Sequence, residues 1–313
     1  MFIFEKAPFP SCHASTLVEL EPGKFLAAWF GGTAEKAKDV QIWQSHFDGH
    51  TWGPLEVVGK EPGYPTWNPI LFKTAKGTLW LWYKAGPDPM TWTGYARKSA
   101  DAGKTWSKPE MLPASFYGPV RAKPIQLKDG TILTGTSVES HRCWTPYVDR
   151  STDDGATWLR SNAFNEKSGH GQIQPTVFEG QNGSIVVLMR SRTPRQVCRS
   201  VSTDAGKTFS PAEPTDLPNP SAGIDAVRTK TGDVFLIYNH TPILRTPISL
   251  ARSTDDGKTW KRVKDLETEP GEFSYPAMIE TTTSQLAITY TWNRTHIKYV
   301  SVDPTDLRKG QTK

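Results

Sequence analysis

The sequence predicts an all-β protein folded as a six-bladed β-propeller. Two internal repeats carry this prediction: a turn motif, S-x-D-x-G-x-T-[W/F], occurs four times, and a strand–glycine–strand pattern occurs six times at intervals of 50 to 55 residues. The composition agrees, because 25 glycines, 25 prolines and 12 tryptophans among 313 residues are typical of many short strands and turns. Repeats of about 50 residues with about four strands each are typical of propeller blades.

The turn motif has the chemistry of a β-hairpin turn. Its four full copies span residues 99–106, 151–158, 202–209 and 253–260, and a weaker copy spans residues 45–52. In each full copy the aspartate can accept hydrogen bonds from the turn backbone, and the glycine can adopt a positive φ. The aromatic residue can pack behind the turn. We therefore expect a structural role for these motifs rather than a catalytic one.

The strand–glycine–strand pattern supplies the inner strands of the blades. Its six copies begin at His13, Asn68, Lys123, Gln174, Asp225 and Tyr275. Six copies at this spacing use the whole chain, so we predict a single propeller domain over residues 1–313. The sixth copy has no turn motif, and we expect residues 1–4 to supply its outer strand and close the ring. No window shows a sustained period of 3.6 residues, so helices should be nearly absent.

Composition and charge exclude several classes of protein. No apolar run is long enough to span a bilayer, and the first residues lack the features of a signal peptide, so we expect a cytoplasmic location, or a periplasmic or secreted one if the N-terminus is trimmed. The three scattered cysteines form neither a disulfide scaffold nor a paired metal motif, and we expect no metal and no cofactor. The net charge of +5 suggests an anionic partner. Basic and acidic residues are interleaved, which argues against nucleic acid.

The six residues at which the inner-strand pattern begins are all polar. Because the innermost strands of a propeller line its central channel, we expect these six side chains to form a polar ring at the channel mouth. The alternative is that they only satisfy strand ends around a water-filled channel. His170 and His240 lie near the ends of the inner strands of blades 4 and 5 and could line the same pocket.

The turn motifs match the Asp-boxes of sialidases and other BNR-repeat proteins. Along nearly its full length the chain resembles the sialidase (neuraminidase) superfamily, whose architecture is a six-bladed propeller. The Asp-box is specific for the fold and not for the activity, because non-catalytic propellers also carry it. The function must therefore be inferred from the residues around the channel.

The resemblance implies a set of catalytic and carboxylate-binding residues. Tyr275 resembles the nucleophilic tyrosine of the family, with Phe273 as the alternative if the strand register differs. Arg190 and Arg245 resemble two arginines that bind the carboxylate of the substrate. Asp39 resembles the aspartate that acts as acid and base.

Other residues complete the predicted site. Two converging arginines would bind a carboxylate by bidentate pairing, and Lys123 would add a further positive charge. We also assign Asn68, Arg294 and Trp67 to substrate binding. The expected partner is therefore an acidic oligosaccharide or glycan, whereas the sequence does not indicate an oligomeric state.

Two positions depart from the family pattern. His13 stands where the family has an arginine, and Gln174 stands where it has the glutamate that deprotonates the tyrosine. A tyrosine with an ordinary pKa needs a base or strong electrostatic help to attack, and a neutral glutamine offers neither. Asp225 or His13 could take over that role; otherwise the reaction is a different one.

Three functions fit these residues, and we favour the first. It is a glycoside hydrolase of exo-sialidase type that cleaves a glycosidic bond of an acidic sugar, with Tyr275 as nucleophile and Asp39 as acid/base. The second is a uronate-specific polysaccharide lyase, or another glycan-cleaving enzyme, in which His13 and Tyr275 transfer protons. The third is a non-catalytic carbohydrate-binding propeller that stacks sugars on exposed indoles. Those indoles are Trp67, Trp92, Trp144 and Trp292.

Overall fold

The strands form six antiparallel sheets arranged as the blades of a propeller, which confirms the predicted fold. The structure is a computed structural model that describes residues 1–165, 171–193 and 195–308. Five sheets have four strands and one has three. In each sheet the strands pair in chain order, and the first strand is the innermost.

The blades follow one another along the chain. Blades 1 and 2 comprise β1 (Ser11–Glu21), β2 (Lys24–Gly32), β3 (Gln41–Phe47), β4 (Glu56–Gly59), β5 (Thr66–Lys73), β6 (Leu79–Ala85), β7 (Thr93–Ser99) and β8 (Glu110–Met111). Blades 3 and 4 comprise β9 (Ile125–Gln126), β10 (Ile132–Glu139), β11 (Trp144–Ser151), β12 (Leu159–Arg160), β13 (Gln172–Glu179), β14 (Ile185–Ser191), β15 (Gln196–Ser202) and β16 (Glu213–Pro218). Blades 5 and 6 comprise β17 (Asp225–Arg228), β18 (Val234–Asn239), β19 (Ile248–Ser253), β20 (Lys261–Glu267), β21 (Phe273–Glu280), β22 (Leu286–Trp292) and β23 (His296–Val302).

Helix is nearly absent, as predicted. Within the described residues it is limited to α1 (Pro304–Arg308) and one 3-10 turn at Gln181–Gly183. No helix in this part of the chain is long and apolar enough to cross a membrane.

The Asp-box turns share one hydrogen-bonded structure. In blade 5, Asp255 accepts hydrogen bonds from the Ser253 hydroxyl (2.7 Å), the Thr259 amide (2.9 Å) and the Thr259 hydroxyl (2.6 Å). Gly257 donates its amide to Ser253 Oγ at 2.8 Å and has a φ of 76°. The full copies in blades 2, 3 and 4 repeat these contacts. All of these bonds are local to the turn, as expected for a structural motif.

The hydrophobic core lies between neighbouring sheets. Leu26 and Ile42 of blade 1 pack in one cluster with Leu81 of blade 2, and all three side chains are almost fully buried. Blades 5 and 6 meet in the same way through Ile237 and Ile288. Central strands such as β6 and β14 are buried along their whole length, because neighbouring blades cover both faces of the sheet and remove its apolar surface from water.

The start of the chain pairs with the last blade, as predicted. The Tyr299 amide donates to the carbonyl of Met1 at 2.9 Å, and the Ile3 amide donates to the carbonyl of Ile297 at 2.9 Å. The pairing is a single bridge from Phe2 to Lys298 rather than a full strand. This segment covers the outer edge of β23 and joins the two ends of the repeat.

Four of the innermost strands contain a β-bulge that sets the positions of their side chains. In β1, β5, β13 and β21, two residues oppose one residue of the neighbouring strand. The first bulged residue has a positive φ in every case. These residues are Ala14 (58°), Asn68 (39°), Gln174 (56°) and Tyr275 (52°). Bulges redirect side chains and are frequent next to functional sites. The structure thus equates Ala14, and not His13, with the other three positions.

Candidate functional site

A pocket of about 230 Å³ lies where the inner strands of several blades meet. Seven predicted site residues form part of its wall: Trp67, Asn68, Gln174, Arg190, Arg245, Tyr275 and Arg294. Trp92, one of the indoles expected to stack sugars, is also in the wall, and three residues that the sequence did not indicate complete it: Glu35, Pro89 and Glu139. Four predicted residues are not part of the wall: His13, Asp39, Lys123 and Asp225.

Tyr275 is held by polar contacts at the base of this pocket. Arg190 Nη1 donates to Tyr275 Oη at 2.6 Å and to Gln174 Oε1 at 3.2 Å. The guanidinium carbon of Arg245 lies 5.4 Å from the centre of the tyrosine ring. Phe273, the alternative for the tyrosine position, is buried in the core between blades 5 and 6. The bulge in β21 therefore presents Tyr275 and not Phe273.

The arginines favour the ionised form of Tyr275. Burial raises the pKa of the tyrosine, but the positive charges of Arg190 and Arg245 outweigh burial and hold that pKa below its ordinary value of 10.0. A hydrogen bond with Gln174 acts in the same direction. Within the described residues no carboxylate hydrogen-bonds to the Tyr275 hydroxyl. Electrostatic stabilisation of the phenolate thus stands where the family would have a carboxylate base.

Glu272 orients two of the pocket arginines. Its Oε1 atom accepts hydrogen bonds from Arg245 Nη1 at 2.8 Å and from Arg294 Nε at 2.7 Å. Arg294 also forms an ion pair with Glu35, which faces the pocket from the loop between β2 and β3. Three guanidinium groups, including that of Arg190, therefore meet in one pocket. In the sequence, only its position three residues before Tyr275 points to Glu272 as a site residue.

Arg121 is buried behind Tyr275 and was not indicated by the sequence. Its guanidinium donates to the carbonyls of Ser15 at 3.2 Å and Pro276 at 2.6 Å, and its carbon lies 5.2 Å from the tyrosine ring centre. Arg121 stands two residues before Lys123, and no motif in the sequence marks it as a site residue.

His13 lies beneath Tyr275 and does not line the pocket. Its side chain is 2% exposed, its ring centre is 4.1 Å from that of Tyr275, and its Nδ1 atom lies 2.9 Å from Thr291 Oγ1. Burial, followed by the charge of Arg294 and three other arginines, lowers its pKa well below the ordinary value, so the ring is neutral at physiological pH. His13 can support the Tyr275 ring, but the predicted place in the polar ring is wrong.

Lys123 and Asp225 pair with each other instead of joining the ring. Lys123 Nζ lies 3.0 Å from both carboxylate oxygens of Asp225. Asp225 also accepts hydrogen bonds from Thr176 Oγ1 at 2.8 Å and from the Met278 amide at 2.9 Å. Thr176 and Met278 lie two and three residues beyond Gln174 and Tyr275, so this pair sits further along the inner strands. It ties blades 3 to 6 together, and neither residue is free to meet a substrate.

Asp39 is exposed and lies outside the pocket wall. Its Oδ2 atom accepts hydrogen bonds from the Thr33 hydroxyl at 2.6 Å and the Thr33 amide at 2.9 Å. The bond from the Thr33 hydroxyl is the main cause of a lowered pKa for this carboxyl group. A carboxylate with a lowered pKa is a poor proton donor near neutral pH. The geometry therefore does not support the predicted acid role of Asp39.

Two of the four indoles expected at the surface are buried. Trp67 is 3% exposed and Trp92 is 4% exposed, and their ring centres are 6.3 Å apart. The Trp67 indole donates to the carbonyl of Gly86 at 2.8 Å. Both residues are part of the pocket wall but have little contact with solvent, so the prediction that they are exposed is wrong. Trp144 is half-buried, and the guanidinium carbon of Arg190 lies 5.7 Å from its ring centre.

The remaining histidines add nothing to the pocket. His170 lies outside the described residues, and His240 contacts the Tyr238 hydroxyl away from the pocket wall. Among the residues that the structure describes, no group of three His, Cys, Asp or Glu side chains could hold a metal ion.

The chain is similar to proteins that share this architecture. It is 25% identical over 318 residues to a sialidase of Bacteroides fragilis, in a match that covers 87% of this chain and 57% of that protein. A protein of unknown function from Dyadobacter fermentans superposes with a TM-score of 0.80 at 20% identity, over 95% of this chain and 96% of that one. The NanB sialidase of Streptococcus pneumoniae superposes with a TM-score of 0.81 at 14% identity, over 98% of this chain and 71% of that one.

These likenesses differ in what they establish. At such identities the solved structures show the fold alone, and the chain spans little more than half the length of the Bacteroides relative. The model of a family described as a BNR repeat-like domain matches residues 23–288, which is most of the chain. With its Asp-boxes and six blades, the chain therefore belongs to the BNR repeat-like family of the sialidase/BNR superfamily.

Proposed function

We propose that this protein is a glycoside hydrolase of sialidase type that removes a terminal, carboxylate-bearing sugar from a glycan. One observation carries the proposal: the side chains of Arg190, Arg245 and Arg294 meet Tyr275 in one pocket of about 230 Å³. Guanidinium groups bind carboxylates through paired, charge-assisted hydrogen bonds. A pocket at the small end of the range for ligand sites suits one sugar unit better than a chain of them.

Tyr275 is the proposed nucleophile. Its hydroxyl is hydrogen-bonded to Arg190 at 2.6 Å, and the charges of Arg190 and Arg245 favour the phenolate. We infer that this arrangement takes the place of the carboxylate base that is absent at Gln174, because nearby positive charges stabilise the phenolate and lower the pKa of the hydroxyl. The phenolate oxygen would attack the anomeric carbon while the arginines hold the carboxylate of the sugar.

A lyase is less well supported by the same geometry. A lyase of the predicted type needs His13 within reach of the substrate as a proton-transfer group. His13 is 2% exposed and lies under the Tyr275 ring, and Lys123 is committed to Asp225. Binding without cleavage is a second candidate, and the neutral Gln174 beside Tyr275 is the observation that favours it.

The test is an assay of the purified chain on three kinds of glycan. We expect release of methylumbelliferone from the α-glycoside of N-acetylneuraminic acid, and release on the order of 100-fold slower from the methyl ester of the same glycoside. Appearance of ultraviolet absorbance from unsaturated uronates with acidic polysaccharides would support the lyase instead. Calorimetric binding of the acidic sugar without product would support binding alone.

A further inference from the structure

Two carboxyl groups face the pocket, and their surroundings differ. Glu35 is ion-paired with Arg294. The carboxyl group of Glu139 makes no hydrogen bond or ion pair with any residue that the structure describes, although it lies in the same wall as Arg190 and Tyr275. The two carboxyl groups of this pocket thus differ in environment, one ion-paired and one without a partner, and such a difference assigns acid and base roles in many hydrolases.

Glu139 is held at the end of a paired strand, and its side chain is largely buried. It is the last residue of β10 and stands opposite Trp144 across the hairpin with β11. Burial raises the pKa of this carboxyl group. Among the described residues, the charged groups that act on it are Arg190 on β14, which lowers that pKa, and Asp88 in the loop after β6, which raises it. Burial prevails, so Glu139 keeps its proton to a higher pH than an ordinary glutamate.

We propose that Glu139 is the proton donor to the leaving group, in the role that the sequence assigned to Asp39. This inference rests on the proposed hydrolase function and names a further catalytic residue for it. Glu139 faces the pocket, carries no competing partner among the described residues and shares the wall with the nucleophile. Asp39 fails on each point, because it is exposed, bonded to Thr33 and outside the wall.

The step is a proton transfer coupled to displacement at the anomeric carbon. The Tyr275 phenolate forms a bond to that carbon while the bond to the glycosidic oxygen breaks, and its electron pair goes to the oxygen. Glu139 gives that oxygen its proton, so the leaving group departs as a neutral alcohol and Glu139 becomes a carboxylate. In the second half of the reaction Glu139 takes a proton from the water that attacks the anomeric carbon, and the Tyr275 phenolate is released.

The experiment compares Glu139→Gln and Asp39→Asn on two leaving groups. In one substrate the leaving group is a hydroxyl of a second sugar, which must be protonated to leave. In the other the leaving group is nitrophenol, which leaves as a stable anion. We expect Glu139→Gln to lower kcat/KM by about 100-fold or more on the first substrate and by less than about tenfold on the second. Asp39→Asn should show no such dependence on the leaving group. Glu139→Asp, which restores a carboxyl group, should recover part of the loss.

The pH profile is a second readout that a merely structural role would not alter. A proton donor must be protonated, so the wild-type kcat/KM should fall as the pH rises through the pKa of Glu139. That alkaline fall should disappear in Glu139→Gln. An equal loss on both substrates, or a leaving-group dependence in Asp39→Asn instead, would overturn the assignment of Glu139. If the wild-type protein cleaves neither substrate, the proposed function itself fails, and the assignment fails with it.

Discussion

At the scale of single residues, the positive charge around Tyr275 is the most unusual feature of the molecule. The guanidinium carbons of Arg121, Arg190 and Arg245 all lie between 5.2 and 5.7 Å from the centre of its ring. The buried Tyr83 is acted on by the charge of Arg97, but there burial prevails and raises the pKa of Tyr83 to about 12. The three arginines around the Tyr275 ring are therefore a specific feature of this site.

The effect of these arginines on the pKa of Tyr275 should be visible in a spectrophotometric titration of tyrosine ionisation. We expect one tyrosine of the native protein to ionise below the ordinary pKa of 10.0, because Arg190 and Arg245 stabilise its phenolate more than burial destabilises it. The early step should be absent in Tyr275→Phe and unchanged in Tyr83→Phe, the matched control. Persistence of the early step in Tyr275→Phe would show that a different tyrosine is responsible.

At the scale of elements, the Asp-box turns explain the local stability of the blades. Replacing Asp255 by alanine removes the acceptor of four hydrogen bonds, and we expect the melting temperature to fall by about 2 °C. Asp216→Ala is the matched control, since Asp216 is exposed and makes no hydrogen bond to a described residue. Equal melting temperatures for Asp255→Ala and the wild type would argue against a stabilising role.

The same variant has a defined pH dependence. Burial raises the pKa of Asp255, but the bonds from Thr259 and Ser253 outweigh it and lower the pKa from 3.8 to about 2. A carboxyl group with a lowered pKa in the folded state stabilises the protein above its ordinary pKa and loses that effect as the pH falls. The difference in melting temperature between wild type and Asp255→Ala should thus be constant above about pH 4 and shrink towards pH 2.

The bulged inner strands are the second element that matters for function. In β13 and β21 the bulge gives Gln174 and Tyr275 a positive φ and places both in the pocket wall. Blades 3 and 5 start their inner strands at Ile125 and Asp225, without a bulge, and their polar residues consequently pair with each other. Whether a side chain faces the pocket is thus decided by a local break in strand alternation.

At the scale of the whole molecule, the ring depends on the contact between the first residues and the last blade. Phe4 is 8% exposed and packs against His296 of the last blade and Trp29 of the first. We expect Phe4→Ala to lower the free energy of unfolding by about 3 kcal/mol, as measured by urea denaturation. The exposed neighbour Glu5, changed to alanine, should leave it nearly unchanged. A negligible effect of Phe4→Ala would mean that the ring is closed by the other blades alone.

Much of the fold could be predicted from the sequence because its signals are local and repeated. The hydrogen bonds that form each Asp-box turn, between its serine, aspartate, glycine and threonine, lie within eight residues, so the four copies could be recognised without knowing the fold. Six repeats of nearly equal length then implied six blades. The repeat alignment also identified Gln174 and Tyr275, the resemblance to sialidases pointed to Arg190, and these three side chains do meet in the pocket.

The rest of the site depends on contacts between blades, which no spacing in the sequence encodes. A bulge in β1 puts Ala14 at the place predicted for His13, Lys123 and Asp225 pair with each other between blades 3 and 5, and Arg121 lies behind Tyr275. As candidate proton donors, Asp39 and Glu139 differ in burial and in whether the carboxyl group already has a hydrogen-bond partner. The burial of Glu139 arises only once blades 3 and 4 have packed together. The sequence by itself determined the architecture and part of the chemistry, because hydrogen bonds within a turn are local. The tertiary structure decided which charged side chains share one pocket, because burial and ion pairing act across the whole ring.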